Sequence, residues 1–433
     1  MRDTGGGLIR RGATPLLALA FAFAAGCTTA DSADPGHLDA LPLLSSESDL
    51  RIGDFDDPDL GFSRVAGVDL DDEGHIYVVE GSVPEIRVYD TEGSVLRRIG
   101  GRGEGPGEFG GAPSFGVVGD TVWTIDGSLQ RITLFDREGS VLSTARAEGV
   151  PIALPHAYGY VRPQQMRPDG LFTGSLSMLR SLRSDEPPTG VSPTDSIPVP
   201  MVLFDAQGEV TDTIGWAGRP PPRMWRPPSD EPSTLELIEV GDRRMRVPAP
   251  PTVLPHWMPL VDGYVAVETP LARSPDEGTF TVTRIGLASD TLFHREIRYR
   301  PARYSPADLD SIAARAARGG VGVPMGVEPP PVPDNVDQIA RRLRSAMDFP
   351  EFKLPVQFSW LAQDESVWVR LAPANEGEET ASWVILDPDG SPRGRIELPS
   401  PHRVVWHRGD VFWAVEPDDY DVPWLVRHRI VSD

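Results

Sequence analysis

The sequence predicts an all-β protein: a six-bladed β-propeller of four-stranded antiparallel blades, its ring closed by an N-terminal strand, with a helical hairpin inserted between blades four and five. Three observations carry that prediction. An apolar pair followed by Asp, two variable residues and Gly occurs four times, at Val88–Gly93, Leu134–Gly139, Leu203–Gly208 and Ile385–Gly390. In each, Asp accepts hydrogen bonds from the turn backbone and Gly reverses the chain into the next strand. The first two Asp are 46 residues apart, close to the length of a four-stranded blade, and one such unit cannot bury its apolar face alone. The chain also carries 43 Gly and 45 Pro without any collagen-like period, as a fold made of turns requires.

The N-terminus reads as an export signal. Arg2, Arg10 and Arg11 form a basic region, Leu16 to Ala25 a short apolar one, and small residues lead into Gly26-Cys27. That apolar run is too short for a permanent membrane span. Ala24-Ala25-Gly26-Cys27 resembles the bacterial lipobox, with Ala24 where Leu is usual; the resemblance implies that Cys27 is acylated and becomes the mature N-terminus. Cys27 is the only cysteine, so disulfides are excluded. Residues 1–26 are then a signal peptide, 27–47 a small, polar tether and 48–433 the propeller. Thr28 after the Cys, by resemblance to other lipoproteins, favours the outer membrane within the cell envelope. A net charge of −23 argues against nucleic acid and against attraction to anionic lipid head groups.

The blades follow in order. Blade one starts at Arg64, blade two at Pro113, blade three near Pro155, blade four near Pro255, blade five at Pro355 and blade six at Pro401. Blade six lacks its outermost strand when the chain stops, and Leu50-Arg51-Ile52-Gly53 alternates so that residues 49–54 can supply it. Six blades is the count, with seven the alternative. The junction after blade one, Gly101-Arg102-Gly103-Glu104-Gly105-Pro106-Gly107-Glu108-Phe109, resembles that of bacterial six-bladed propeller lipoproteins related to NHL repeats. The resemblance implies fold and location and brings no catalytic residues with it.

Insertions at about 183–200 and 219–250 read as Pro-rich loops, the second with a small hairpin. Residues 305–349 differ. Ser305-Pro306-Ala307-Asp308 supplies an N-cap, a first-turn Pro and an acid at the third helical position, followed by Leu309, Ile312, Ala313 and Ala316 on one face. Asp334 is placed to cap a second helix with Val336, Ile339, Leu343 and Met347 on one stripe. Such a hairpin packs on the rim as an accessory or covers the channel as a lid.

Chemical motifs are sparse. Asp69, Asp71, Glu73, Gly74 and Glu80 approach a calcium loop, but strands flank them and the turn explains the Gly. Gly103, Gly105 and Gly107 open no helix, so no phosphate cradle is expected. Trp123, Trp368 and Trp413 recur on second strands as blade-to-blade core, whereas Trp216, Trp225 and Trp257 lie nearer loops. Inner strands line a propeller's channel, and the residues after the blade-opening prolines include Ser114, His156, His256 and His402. Three imidazoles from separate blades could hold a divalent metal, as in NHL-type propellers with lyase activity that use histidines of separate blades. The simpler reading makes them polar channel lining.

Two functions remain open: a monomeric, lipid-anchored module that binds a protein, peptide or saccharide, and a metal-dependent lyase or hydrolase using the channel histidines. Cys27→Ser is expected to release the protein into the soluble exported fraction or to accumulate uncleaved precursor; membrane association that survives a high-salt wash would refute the lipid anchor.

Overall fold

The computed structural model describes residues 36–431 apart from 55, 58–59, 155–156, 182–196, 220–236, 241–242, 247–255, 261, 287–289, 319–334, 363 and 374–377. After a short 3-10 turn at Leu38–Ala40 the chain enters β1 (Leu43–Ile52). Two four-stranded antiparallel sheets follow. The first is β2 (Val65–Leu70), β3 (Ile76–Glu80), β4 (Glu85–Tyr89) and β5 (Val95–Gly100); the second is β6 (Ser114–Val118), β7 (Thr121–Asp126), β8 (Arg131–Asp136) and β9 (Val141–Arg146). The third sheet has five strands: β10 (Val150–Leu154), β11 (Ala157–Met166), β12 (Phe172–Ser181), β13 (Ile197–Phe204) and β14 (Val210–Arg219). A separate pair, β15 (Leu237–Val240) and β16 (Arg243–Arg246), matches the small hairpin expected in the second insertion.

The fourth sheet is β17 (His256–Leu260), β18 (Gly263–Glu268), β19 (Gly278–Gly286) and β20 (Thr291–Tyr299). Helices α1 (Pro306–Ala317) and α2 (Val336–Ala346) come next. The last strands are β21 (Val356–Leu361), β22 (Val367–Leu371), β23 (Thr380–Leu386), β24 (Pro392–Pro399), β25 (Arg403–Arg408), β26 (Val411–Pro417) and β27 (Pro423–Val431). They form one eight-stranded sheet ordered β21-β22-β23-β24-β1-β27-β26-β25. The architecture is all-β and propeller-like.

The hydrogen-bonded sheets depart from six separate four-stranded blades. Four sheets stand alone, one with an additional strand, and the two last expected blades are joined into a single sheet by β1. The reason is the length of β1. It begins at Leu43, inside the segment expected to be tether, and not at residue 49. Leu43 and Leu44 therefore pair in parallel with Arg395 and Ile396 of β24, while Ser45 to Ile52 pair antiparallel with β27. Asp49 adds ion pairs to Arg427 and Arg429 at 2.6 and 2.8 Å.

The Asp-x-x-Gly turns form as their chemistry requires. Asp90 Oδ1 accepts from Glu92 and Ser94 N–H, Asp205 Oδ1 from Gln207 and Glu209 N–H, and Gly93 takes φ +89°. In the fourth copy Asp387 turns instead to Arg393, and Asp389 takes the Ser391 N–H. The Gly-rich junction is explained by Glu108. Its carboxylate accepts the Gly105 N–H at 2.8 Å and crowds Gly103 so closely that a Cβ there would lie 2.0 Å from Oε2.

Apolar clusters are shared between sheets. Tyr77, Val79, Ile86 and Val88 pack on Val117, Val122 and Phe135; Trp123 and Ile132 pack on Phe172 and Phe204; Met201 and Leu203 pack on Tyr264 and Ala266. Val265, Val267 and Phe280 meet Val367, Val369 and Val384, and Trp368 and Trp383 meet Phe412 and Ala414. Trp413, Val415 and Leu425 pack on Ile76, Val78 and Tyr89. The three tryptophans expected in the core are there.

In α1, Ser305 and Asp308 form the expected capping box, and buried Asp308 pairs with Lys353 at 2.9 Å. Burial pushes its carboxyl up, but Lys353 and Ser305 outweigh that and hold it below its usual value. Ala313, Ala316, Ala317, Ile339 and Leu343 make the contact between the helices. The N-cap of α2 is Asn335, without a side-chain bond; Asp334 lies outside the described residues.

Ile52 is buried where β1 meets β27, whereas Leu43 is 55 % exposed. Ile52→Ala should therefore cost about 2–5 kcal/mol and Leu43→Ala no more than about 0.5 kcal/mol in denaturant unfolding. Equal losses would mean that β1 is not anchored through its C-terminal half.

Candidate functional site

The first strands of several sheets, β2, β6, β17, β21 and β25, together with β11, line one cavity of about 1120 Å³. β-Branched and aromatic residues favour strands at these positions, but their regular alternation is broken. A one-residue register shift occurs in β2 between Val65 and Gly67, in β11 between Pro163 and Gln165, in β21 between Val356 and Phe358, and in β25 between Val404 and Trp406. Bulges of this kind re-aim side chains. In β25 the shift lets Arg403, Val405 and Trp406 all line the cavity.

Asp69 is the polar centre of the wall. It is 9 % exposed and accepts three hydrogen bonds: from Leu70 N–H at 2.9 Å, from Val117 N–H of β6 at 2.8 Å and from Trp406 Nε1 of β25 at 3.0 Å. One carboxylate thus ties together three strands distant in sequence. Burial pushes its pKa up to about 6, and the three donors, with Arg408 nearby, limit the rise.

At the other end of the same strands, Arg403 Nη2 donates to the Val65 carbonyl at 2.5 Å, and Arg64 and Ser114 border the cavity beside it. Arg403 keeps solvent-accessible surface inside the cavity it lines, yet its guanidinium is held below its ordinary value by desolvation and then by the like charge of Arg64. His407 is a further wall residue. It is 1 % exposed, its Nδ1 lies 3.4 Å from Ser366 Oγ, and burial depresses it to about 3, so it is neutral. Its ring lies 4.4 Å from that of Trp368.

Of the residues singled out from sequence, Ser114 reaches this cavity, as do Asp69 of the calcium-like segment and Trp123. His256 opens β17 and its Nδ1 lies 3.0 Å from Ser359 Oγ of β21; burial lowers its pKa. His402 lies just before β25 and meets Glu416 Oε1 at 3.1 Å, where His428 Nε2 also bonds at 2.7 Å. Burial lowers the His402 pKa against the attraction of Glu416. The cavity lining includes neither His256 nor His402, and His156 and Cys27 lie outside the described residues. Among the described residues, no group of three or more His, Cys, Asp or Glu is arranged to hold a metal ion.

The acids of the calcium-like segment also disperse: Asp71 caps its own turn through Glu73 and His75 N–H, and Glu80 accepts from Ser63 and Ser82. Trp216 is exposed and Trp257 lies 5.0 Å from the Tyr264 ring, while Trp225 is outside the described residues. Sequence reasoning missed Arg64, Arg403, Trp406 and His407. The available signal was an inner strand, residues 403–408, with two Arg, a Trp and a His where a buried strand would carry aliphatics.

No known family model matches the chain, and no curated protein does. Solved structures of similar chain path include an exported protein of Bacteroides fragilis (13 % identity, TM-score 0.44, covering 92 % of this chain and 98 % of that one). A member of the DUF4221 family from Bacteroides vulgatus is similar (10 % identity, TM-score 0.45, 90 % and 97 %), as is a streptogramin B lyase (8 % identity, TM-score 0.35, 90 % and 98 %). At these identities and scores none transfers a ligand or a reaction to this chain. Among the described residues, no helix is long and apolar enough to cross a membrane.

The Asp69 carboxylate has no donor of its own, so Asn cannot replace it: its amide would face either Val117 N–H or the Leu70 and Trp406 donors. The folded state binds the Asp69 proton more tightly than the unfolded chain does. Asp69 therefore contributes stability that is full below 3.8 and is lost as pH rises through about 6. The deficit of Asp69→Asn should widen by about 2 kcal/mol between pH 7.5 and pH 4.5. A deficit independent of pH in denaturant titrations would mean that Asp69 titrates normally.

Proposed function

We propose that this chain is an exported six-bladed propeller, anchored at the cell envelope through a lipid on Cys27, that works as a binding module for a protein, peptide or saccharide. The six-blade count treats the eight-stranded sheet as two blades, β21–β24 and β25–β27, sharing the N-terminal strand. Its support is the cycle of apolar clusters: six contacts, each between neighbouring strand groups, run from the first sheet round to the last strands and back to β3. On that count β1 closes the ring, and the tether leaves beside the last blade. The sequence of the first 27 residues supports the anchor, and outer-membrane sorting follows from Thr28.

The observation that carries the binding reading is the cavity itself. A space of about 1120 Å³ with an apolar and aromatic wall and a few convergent polar groups is the ordinary form of a ligand site. The alternative, a metal-dependent lyase or hydrolase using His156, His256 and His402, would have to ligate through Nε2 of His256 and His402, since Ser359 and Glu416 engage their Nδ1, and neither histidine lines the cavity.

The test is a panel of peptides, saccharides and organic acids screened by thermal shift and by mass spectrometry on the same samples. A ligand at a hundred times its Kd should add about 2.7 kcal/mol of stability. Ser114→Trp, which fills the mouth, should abolish the shift. Conversion of a panel member to product, lost in that same variant, would overturn the binding reading in favour of an enzyme.

A further inference from the structure

We infer that the cavity takes an amphipathic organic anion, its acidic head held at Arg64 and Arg403 and its apolar body directed along the strands towards Trp406 and Leu361. The inference deepens the binding reading above and rests on it.

The direction comes from strand contacts. The start of β25 touches the start of β2, where Arg403 donates to the Val65 carbonyl. The far ends of the same strands meet β6 at Asp69, which joins Trp406 and Val117. The three strands therefore run side by side in one direction, and their first residues gather at one end of the cavity. Those first residues are polar: Arg64 immediately before β2, Ser114 opening β6 and Arg403 opening β25. Farther along, the same wall presents Phe115, Val117, Val118, Val405 and Trp406, with Leu361 across from β21.

Charge gives the sign of the head group. Asp69 and Glu365 are the acids of the lining, and both are engaged: Asp69 by three N–H donors, Glu365 by Arg284 at 2.8 Å. The third lining arginine, Arg167, is paired with Asp169 at 2.7 Å. Arg403, by contrast, spends one N–H on a neutral carbonyl, and among the described residues no carboxylate offsets its charge. The Arg403 guanidinium, partly desolvated and beside the like charge of Arg64, is in an unfavourable arrangement that a bound anion relieves. Arginine suits such a head because its fork matches carboxylate, phosphate and sulfonate oxygens. In a chain of net charge −23, a cationic pocket mouth is not a by-product of composition.

Two fluorescent probes of similar apolar body separate the possibilities: 1-anilinonaphthalene-8-sulfonate, an anion, and N-phenyl-1-naphthylamine, which is neutral. The wild-type protein should bind both at one site, with only the sulfonate weakened by added salt. Arg403→Gln, alone or with Arg64→Gln, should weaken the sulfonate roughly ten- to a hundredfold and leave the neutral probe within about twofold. Arg403→Lys should restore most of the lost affinity, and the salt response of the unaltered protein stands if a variant misfolds. If both probes bind and neither salt nor substitution separates them, the cavity is a binding site but the anion inference is wrong. If neither binds, both the inference and the cavity reading fall.

Discussion

The constraint on which this structure depends is that the middle strands of its sheets are buried on both faces. Every residue of β3 and of β4 is buried, so neither face of those two strands can meet water. An antiparallel sheet of only four strands cannot cover itself, and a single partner would leave the other face exposed. Each sheet must therefore lie between two others, and tryptophans such as Trp368, Trp383 and Trp413 fill the wedge between neighbours. A fully buried side chain of that size contributes through area removed from water, roughly 25 cal/mol per Å². Polar contacts inside the stack then have to be satisfied internally, and the Asp69 carboxylate is the clearest instance, since its acceptors meet donors from three strands that only stacking brings together.

Local chemistry was legible in the sequence because it is written in adjacent residues. The Asp-x-x-Gly turns, the Ser305 and Asp308 capping box and the core tryptophans each follow from a few neighbouring side chains and their hydrogen-bonding capacity. The edge of β1 was less legible. Leu50 to Ile52 alternate clearly, but Leu43 to Glu47 look like tether, and their pairing with β24 and β27 depends on strands some 350 to 390 positions away, as the Ser45 contact to Val431 illustrates with a separation of 386. β1 carries a weak side-chain signature because most of its side chains are exposed, and backbone pairing to β24 and β27, not an apolar face, defines it.

The cavity was the least legible part. Ser114 was reached by counting from the prolines, and the same counting drew attention to His256 and His402, which bond to Ser359 and Glu416 instead. Counting assumes that the residue after each blade-opening proline takes the same place in every inner strand, but Ser114 and His256 open β6 and β17 whereas His402 lies before β25, and bulges in β2, β11, β21 and β25 re-aim the residues that follow. Nothing in the local sequence marks Arg64 and Arg403 as neighbours, since Val65 and Arg403 are 338 positions apart. Their adjacency is a property of the stacked sheets alone.

The acidic balance of the chain and a cationic cavity mouth are compatible for a physical reason. At physiological ionic strength the screening length is about 8 Å, so acids on the outer surface act weakly on a ligand some tens of ångströms away. Inside the cavity the walls have low dielectric and mobile ions are few, and a charge there is felt at closer to its full strength. An anion approaching from solvent would gain little until it reaches the mouth, and would then meet two guanidiniums at once. Selectivity in such a design comes from the interior alone: the arginines choose the sign of the head group, and the length of wall between Arg403 and Trp406 chooses the size of the apolar body attached to it.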